Sequence, residues 1–401
     1  MRNDPVLFEQ LPIARKSLRI AVVTETYPPE VNGVAMSLGR FVEGLQRREH
    51  EVQLVRPRQD VNDRPESEER FQEVLKRGLP IPRYPSLKMG LPAKQALTRL
   101  WSLRRPDLVH IVTEGPLGWS ALQAALKLKL PVCSDFHTNF HAYSRHYGVG
   151  WLKKTIAGYL RKFHNRTLCT MVPTEAMREE LSELGFRDLR VVARGVDTSL
   201  FTPTRRSEAL RQSWGVKQDD PVVLYVGRLA PEKNLPAVVA AFQDMRRRQP
   251  KAKLVLVGDG PQRSSLAARH PDAIFAGMRV GEDLATHFAS GDMFLFPSLT
   301  ETYGNVTVEA MASGLAVVAY DYAAAAEHIR HGYNGLLADY DDTVGFVRLA
   351  ADLLTDPLRI DEFARHARHT AEGLTWDRVV QQLEAVFLSV AQAGARQHDA
   401  A

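Results

Sequence analysis

Met293-Phe294-Leu295-Phe296-Pro297-Ser298-Leu299-Thr300-Glu301-Thr302-Tyr303-Gly304-Asn305-Val306-Thr307-Val308-Glu309-Ala310-Met311-Ala312-Ser313-Gly314 is the stretch from which the rest of the chain is read. Its first four residues form an apolar run of the length and type of a buried parallel strand, and Val306, Val308, Ala310 and Met311 mark a helix packed on it. Glu301 therefore falls in the turn where strand becomes helix, and Glu309 follows about two helical turns later. Tyr303, Gly304 and Asn305 lie where a new helix has unpaired backbone N–H groups and the positive end of its dipole. Such a turn suits a diphosphate flanked by two hydroxyl-rich groups. The N–H groups would take phosphate oxygens, Gly304 would let the backbone come close, and each carboxylate could accept from paired sugar hydroxyls. A capping Glu followed by a second Glu on a wet helix face is the plainer alternative.

Outward from this stretch the chain shows two series of short apolar runs alternating with helical patterns. The first comprises residues 18–23, 52–55, 108–112, 132–137, 169–174 and 189–192, and the second residues 222–227, 254–258, 273–277, 293–296 and 315–319. Alternation of this kind predicts two doubly wound parallel sheets, an α/β architecture of two Rossmann-like domains facing a central crevice. A length of 401 residues is also too great for one ordinary core. The boundaries expected are 1–198 for the first domain and 199–375 for the second, with the polar stretch 197–220 as linker. A last helix, 376–401, carries Val379, Val380, Leu383, Val386, Phe387 and Val390 on one stripe. Residues 1–16 read as a loose lead-in, and the charge-rich residues 60–77 as a mobile surface excursion.

Hydrophobic content of 44% and charged content of 25% are those of a globular protein in water. No apolar run is long enough to cross a bilayer and no basic-then-apolar leader is evident, so the expected location is cytoplasmic. Cys133 and Cys169 read as reduced core thiols. A formal charge of +5 leans toward anionic partners, whether nucleotides, lipid head groups or nucleic acid.

Glu301 to Glu309 followed by Ala310-Met311-Ala312-Ser313-Gly314 resembles the E-x7-E signature of the retaining family-4 glycosyltransferases, enzymes of the GT-B architecture. Other stretches match the same family in order: Gly33 in the first loop, Phe136-His137-Thr138, Arg194-Gly195-Val196-Asp197, Gly227-Arg228-Leu229 with Lys233, and Gly277-Met278-Arg279-Val280. Within the family the chain looks similar to GDP-mannose-dependent alpha-mannosyltransferases and to the sulfoquinovosyl- and glycosyl-diacylglycerol synthases. The resemblance implies a nucleotide-diphosphate sugar as donor and a membrane lipid, glycolipid or other glycan as acceptor. It places Arg228 and Lys233 on the diphosphate, Gly33 in the loop that closes over it, and Met278 and Arg279 where the base is read through backbone groups. It places His137 beside the transferred sugar, Glu301, Tyr303, Gly304, Asn305 and Glu309 around the donor, and the last helix, 376–401, back on the first domain. His137, Glu301, Arg228 and Lys233 are thereby the catalytic candidates. Arg194 to Asp197 can be read as hinge architecture or as contact.

No cofactor is expected beyond the nucleotide sugar, and no metal. His137, His141 and His146 invite a zinc reading, but they end a strand and bring no Glu or Cys at ligand spacing. Asp339-Tyr340-Asp341 is formally D-x-D, yet it opens a helix and reads as a cap. Gly258-Asp259-Gly260 lacks the third glycine of a dinucleotide fingerprint, which disfavours a dehydrogenase. The acid-free segment 151–166 is amphipathic, with Leu152, Ile156, Tyr159, Leu160 and Phe163 on one face and Lys153, Lys154, Arg161, Lys162 and Arg166 largely elsewhere. It is either a core-facing helix with a solvated basic side or a helix that meets an anionic membrane. The expectation is thus a metal-independent retaining hexosyltransferase, peripheral on the inner face of the cell membrane and without a nucleic-acid partner. A GT-B-like sugar-nucleotide epimerase and a non-catalytic nucleotide- or lipid-binding protein are the alternatives.

Overall fold

A computed structural model describes residues 17–30, 32–81, 84–137, 150–217 and 220–399. The lead-in 1–16 and the histidines His141 and His146 lie outside them, as do the side chains of residues 150–153. Strands β1 (Arg19–Val23), β2 (Glu51–Pro57), β3 (Ser67–Glu68), β4 (Phe71–Lys76), β5 (Gly78–Ile81), β6 (Tyr84–Gly90), β7 (Leu108–Ile111), β8 (Val132–Asp135), β9 (Cys169–Val172) and β10 (Leu189–Val191) belong to the first half. Eight of them form one sheet in the order β10-β9-β8-β7-β1-β2-β4-β3, parallel except where β3 meets β4, while β5 and β6 pair as a separate hairpin. Strands β11 (Val222–Val226), β12 (Lys253–Val257), β13 (Ile274–Gly277), β14 (Met293–Phe296), β15 (Ala316–Tyr320) and β16 (Leu336–Ala338) form the second sheet, β13-β12-β11-β14-β15-β16, entirely parallel.

In each sheet the strand order reverses once, between β1 and β7 and between β11 and β14. Such switch points open a crevice beyond the carboxyl ends of the strands. Residues of β11 and β14 are buried throughout, as strands covered by helices on both faces must be. The last helix, Trp376–Asp399, lies on the first sheet, with Val379, Val380, Leu383, Val386, Phe387 and Val390 buried in that sheet's core. Burying each large apolar side chain there is worth about 1.5–3 kcal/mol.

Three expectations change. Residues 60–77 are not a mobile excursion, because β4 pairs in parallel with β2 and a buried arginine holds the segment down. Arg56 donates to Asp63 at 2.7 and 3.0 Å and to Glu73 at 2.8 and 3.0 Å. A buried guanidinium needs acceptors for its donors, and two carboxylates supply them. The stretch 197–220 is not a free linker either. Its helix Glu208–Ser213 carries Arg211, which is buried and donates to the Ser290 and Asp220 carbonyls on the second domain. At 339–342 the residue that caps the next helix is Asp342, whose Oδ1 accepts from Gly345 N–H at 2.9 Å, rather than Asp339 or Asp341.

Candidate active site at the two switch points

The loop after β1 is held by its own side chains. Thr24 Oγ1 donates to the Thr26 carbonyl, Asn32 Nδ2 donates to Thr26 Oγ1 at 2.7 Å, and Asn32 Oδ1 caps the following helix by accepting from Ala35 N–H at 2.9 Å. That helix, Gly33–Arg47, begins at the predicted glycine. A Cβ on Gly33 would stand 3.9 Å from Asn305 Nδ2, so the helix starts of the two domains approach each other here. Gly304, the cap before helix Asn305–Ala312, has φ +90°, a left-handed conformation that glycine takes without strain.

The loops after β11 and β14 bring Lys233 and Glu301 together. Lys233 Nζ contacts Glu301 Oε1 directly, and Ser298 Oγ donates to the same oxygen at 2.7 Å. Lys233 also sits over the Phe296 ring, 5.8 Å from its centre. The turn is pinned from outside by two tyrosines for which the sequence implies no role at this site. Tyr322 donates to the Glu301 carbonyl and Tyr340 to the Leu299 carbonyl, each at 2.8 Å. Arg228 is half-exposed on the loop after β11, with Glu232 at 3.7 Å. Arg228 and Lys233 are thus near the crevice but differently placed: Arg228 is half-exposed beside Glu232, and Lys233 is shielded against Glu301.

Glu309 lies partly buried on the helix, and burial pushes its carboxyl up to about 7. Tyr303 points elsewhere. Its side chain is buried, and its hydroxyl donates to the Arg194 carbonyl at 3.0 Å with His328 Nε2 at 2.8 Å. The hydroxyl has one proton, so His328 Nε2 carries the proton of the second contact; burial lowers the His328 pKa to about 4, in keeping with a neutral ring. The ring of Tyr303 therefore fastens the hinge, and only its backbone remains for a donor. Arg194 is hinge architecture too: it is buried, donates to the Val192 and Ala193 carbonyls and lies over the Phe41 ring. Arg279 folds back to donate to the Ala276 carbonyl at 2.7 Å, leaving Met278 and Val280 exposed as an apolar edge beside it.

His137 follows β8 on the first domain, with Asp135 Oδ2 at 3.4 Å from its Nε2. Glu25 in the β1 loop and Glu114 after β7 form a second acidic pair on this domain. Glu25 accepts from Leu117 N–H at 3.0 Å, and burial, with Glu114 adding to it, pushes its carboxyl up to about 7. Glu114 accepts from or pairs with His164 Nε2 at 3.2 Å. His164 closes helix Gly150–His164, whose Leu160 and Phe163 are buried in the first domain's core while Lys154 and Lys162 are exposed. Leu160 and Phe163 of the apolar face are therefore spent on the core, while Tyr159 of the same face is exposed. Among the described residues no group of three or more His, Cys, Asp or Glu is placed to hold a metal ion, and no helix is long and apolar enough to cross a membrane.

The arrangement can grip a diphosphate between two helix starts and two cations, with carboxylates on either side for sugar hydroxyls. Comparison with known proteins identifies the family. Residues 31–200 match the family described as Glycosyltransferase Family 4, and residues 220–356 match Glycosyl transferases group 1. A GDP-mannose-dependent alpha-mannosyltransferase of Corynebacterium glutamicum is 32% identical over 92% of this chain and 88% of its own. An alpha-monoglucosyldiacylglycerol synthase of Streptococcus pneumoniae is 28% identical over 76% of this chain and 71% of its own. In fold, the sucrose-phosphate synthase of Thermosynechococcus elongatus superposes with a TM-score of 0.78 at 19% identity, covering 94% of this chain and 100% of the other. Two parallel-sheet domains, a crevice at their switch points and these relatives together make the chain a glycosyltransferase of the GT-B fold, belonging to family 4.

Proposed function

We propose that the protein transfers a hexosyl group, with retention and without a metal ion, from a nucleotide-diphosphate sugar to a membrane lipid or glycolipid acceptor. The donor is GDP-mannose or a UDP-hexose, and diacylglycerol is the type of acceptor. The observation that carries this reading is the Lys233–Glu301 pair beside the start of helix Asn305–Ala312, facing Gly33 across the crevice. Lys233 and Arg228 with the helix N–H groups stabilise the charge that grows on the departing diphosphate. Glu301 orients the sugar, Glu309 takes the ribose hydroxyls, and His137 lies near the anomeric carbon. With the leaving group held on one face, the acceptor hydroxyl attacks that same face and gives its proton to the donor phosphate. The relatives named for mannosyl and glucosyl-diacylglycerol transfer support the sugar and acceptor classes.

The test is incubation with UDP- and GDP-sugars and a lipid extract, with and without excess chelator. A labelled glycolipid whose anomeric configuration matches the donor, formed at an undiminished rate in chelator, is expected. A strict manganese or magnesium requirement would overturn the metal-free reading, and an epimerised nucleotide sugar with no glycosylated product would overturn transfer.

Glu309 makes donor binding depend on pH. A carboxyl raised to about 7 is largely protonated at pH 6 and must lose that proton before it can accept from two ribose hydroxyls. Affinity for a nucleotide sugar, whose diphosphate is esterified at both ends, should therefore fall about tenfold from pH 8 to pH 6, following the ionised fraction. Calorimetry on Glu309→Gln should show this slope gone; an unchanged slope would assign it to another group.

The membrane reading narrows to the basic side of helix Gly150–His164. Arg161 is tied to the Leu184 carbonyl, so Lys154 and Lys162 are the cations to change. At about 1 kcal/mol per cation near an anionic surface, Lys154→Gln with Lys162→Gln should cut binding to anionic liposomes by roughly tenfold or more. Co-sedimentation at two salt concentrations checks it, and equal binding to neutral and anionic vesicles would count against it.

A further inference from the structure

Asp135 closes β8 between two histidines. His110 on the neighbouring β7 has Nε2 3.1 Å from Asp135 Oδ1, and His137 has Nε2 3.4 Å from Oδ2. His110 is partnered with Cys133 in the sheet, and residues 133, 135 and 137 alternate onto the same side, so all three side chains of the cluster share the face covered by the last helix. There the His110 ring lies 5.1 Å from the Phe387 ring. Asp135 and His110 are buried almost completely, and His137 keeps 11% of its side chain exposed. Each pair lies at ion-pair distance, and among the described residues these four nitrogen and oxygen atoms have no hydrogen-bond partner of ordinary geometry. Burial alone would raise the Asp135 carboxyl, yet His110 and then His137 hold it well below the usual carboxylate range.

A buried carboxylate is costly to keep unless its partners are fixed and its charge is used. Here each oxygen has one imidazole, and the two histidines differ in what lies beyond them. His110 is locked against Phe387, whereas His137, just past the carboxyl end of β8, is the member that keeps part of its side chain exposed. An imidazole that points Nε2–H at a carboxylate has its lone pair on Nδ1, so the carboxylate chooses both the tautomer and the ring orientation.

We propose that Asp135 is a positioning residue, shared between His110 and His137, which fixes the Nε2–H tautomer of His137 and presents its Nδ1 as an acceptor for a hydroxyl of the transferred sugar. This rests on the proposed function, in which His137 meets that sugar. His110 is the anchor on the far side. A residue that merely packs the sheet would depress folding; one that acts through His137 should lose its effect once His137 is gone.

Two measurements test it. In the first, Asp135→Asn should lower kcat by roughly 10- to 100-fold while changing donor KM by no more than about twofold, and His110→Gln should lower kcat by a smaller factor, as loss of an orienting partner does. Placed in the His137→Ala background, Asp135→Asn should then change kcat by less than about twofold. In the second, nitrogen NMR of the histidine-labelled wild-type chain should show His137 as the Nε2–H tautomer, and Asp135→Asn should convert it to a mixture. Equal losses in the presence and absence of His137, or a wild-type His137 protonated on Nδ1 alone, would overturn the proposal. If Asp135→Asn does not fold, the same cycle with His110→Gln and the wild-type spectrum decide it. A wild-type protein that turns over no nucleotide sugar would instead refute the proposed function, and the tautomer measurement would still judge the positioning.

Discussion

Lys233→Ala should abolish most turnover, lowering kcat by about 10²–10³, the loss typical when one preorganised charge is removed from a developing anion. The effect is compounded because Lys233 is the direct partner of Glu301, and both side chains keep less than a fifth of their surface exposed. Removing the cation leaves a shielded carboxylate facing the site where the diphosphate must bind, so repulsion replaces attraction. It should also destabilise the fold by about 1–3 kcal/mol, the usual penalty for a poorly solvated group deprived of its partner. Lys233→Ala with Glu301→Gln separates the two consequences: stability should return toward wild type while turnover does not. Steady-state kinetics and thermal melts on the three variants check this. A single variant with wild-type kcat would remove Lys233 from the leaving-group site.

Gly44→Leu should strongly destabilise the first domain. Gly44 sits on helix Gly33–Arg47 where the last helix crosses it, and a Cβ there would lie 2.4 Å from Val380 Cγ2 and 2.9 Å from Cγ1. Valine is stiff at χ1 and cannot swing clear. Forcing a leucine into the contact must push the last helix outward, at a cost of about 3 kcal/mol or more. That displacement would also pull on Arg48 and His50, which hold Glu384 at 2.9 and 3.1 Å. Gly44→Ala paired with Val380→Ala should recover most of the loss seen with either large residue opposite a Cβ. Chemical denaturation showing Gly44→Leu as stable as wild type would mean that the two helices are not in register there.

The two-sheet architecture was legible because strands such as β11 and β14 are buried on both sides and so appear as unbroken apolar runs. The strand β4 was not, for the opposite reason. Its Glu73 is buried and made tolerable by Arg56, a partner 17 residues away, and a charge-rich segment reads as solvated unless that partner is known. The site divides along the same line. Glu301 and Gly304 could be named from a strand end and a turn, and Lys233 and Gly33 from the family resemblance, but the Lys233–Glu301 contact spans 68 positions and only the fold of the second sheet brings it about. Tyr303 was placed near the donor by its position before the helix, whereas the direction of its ring is set by the Arg194 carbonyl and His328. Asp135 escaped notice although its signal was present: an acidic residue closing an otherwise apolar strand, two positions before a histidine, has no solvated face to occupy.

The chain passes between the domains at 193–197 and again at 373–376, and the two passages run side by side. Val196 is bridged in parallel to Thr375, Val196 N–H donates to the Leu374 carbonyl at 2.8 Å, and a Cβ on Gly195 would meet Trp376 N at 2.7 Å. Paired passages of this kind act as a two-strand flexure. They bend readily about the line joining them and resist torsion and shear, because either would break the bridge between them. Bending about that line is then the easiest relative motion of the domains, and a donor placed as the proposed function has it, across Gly33 and Asn305, would restrain it.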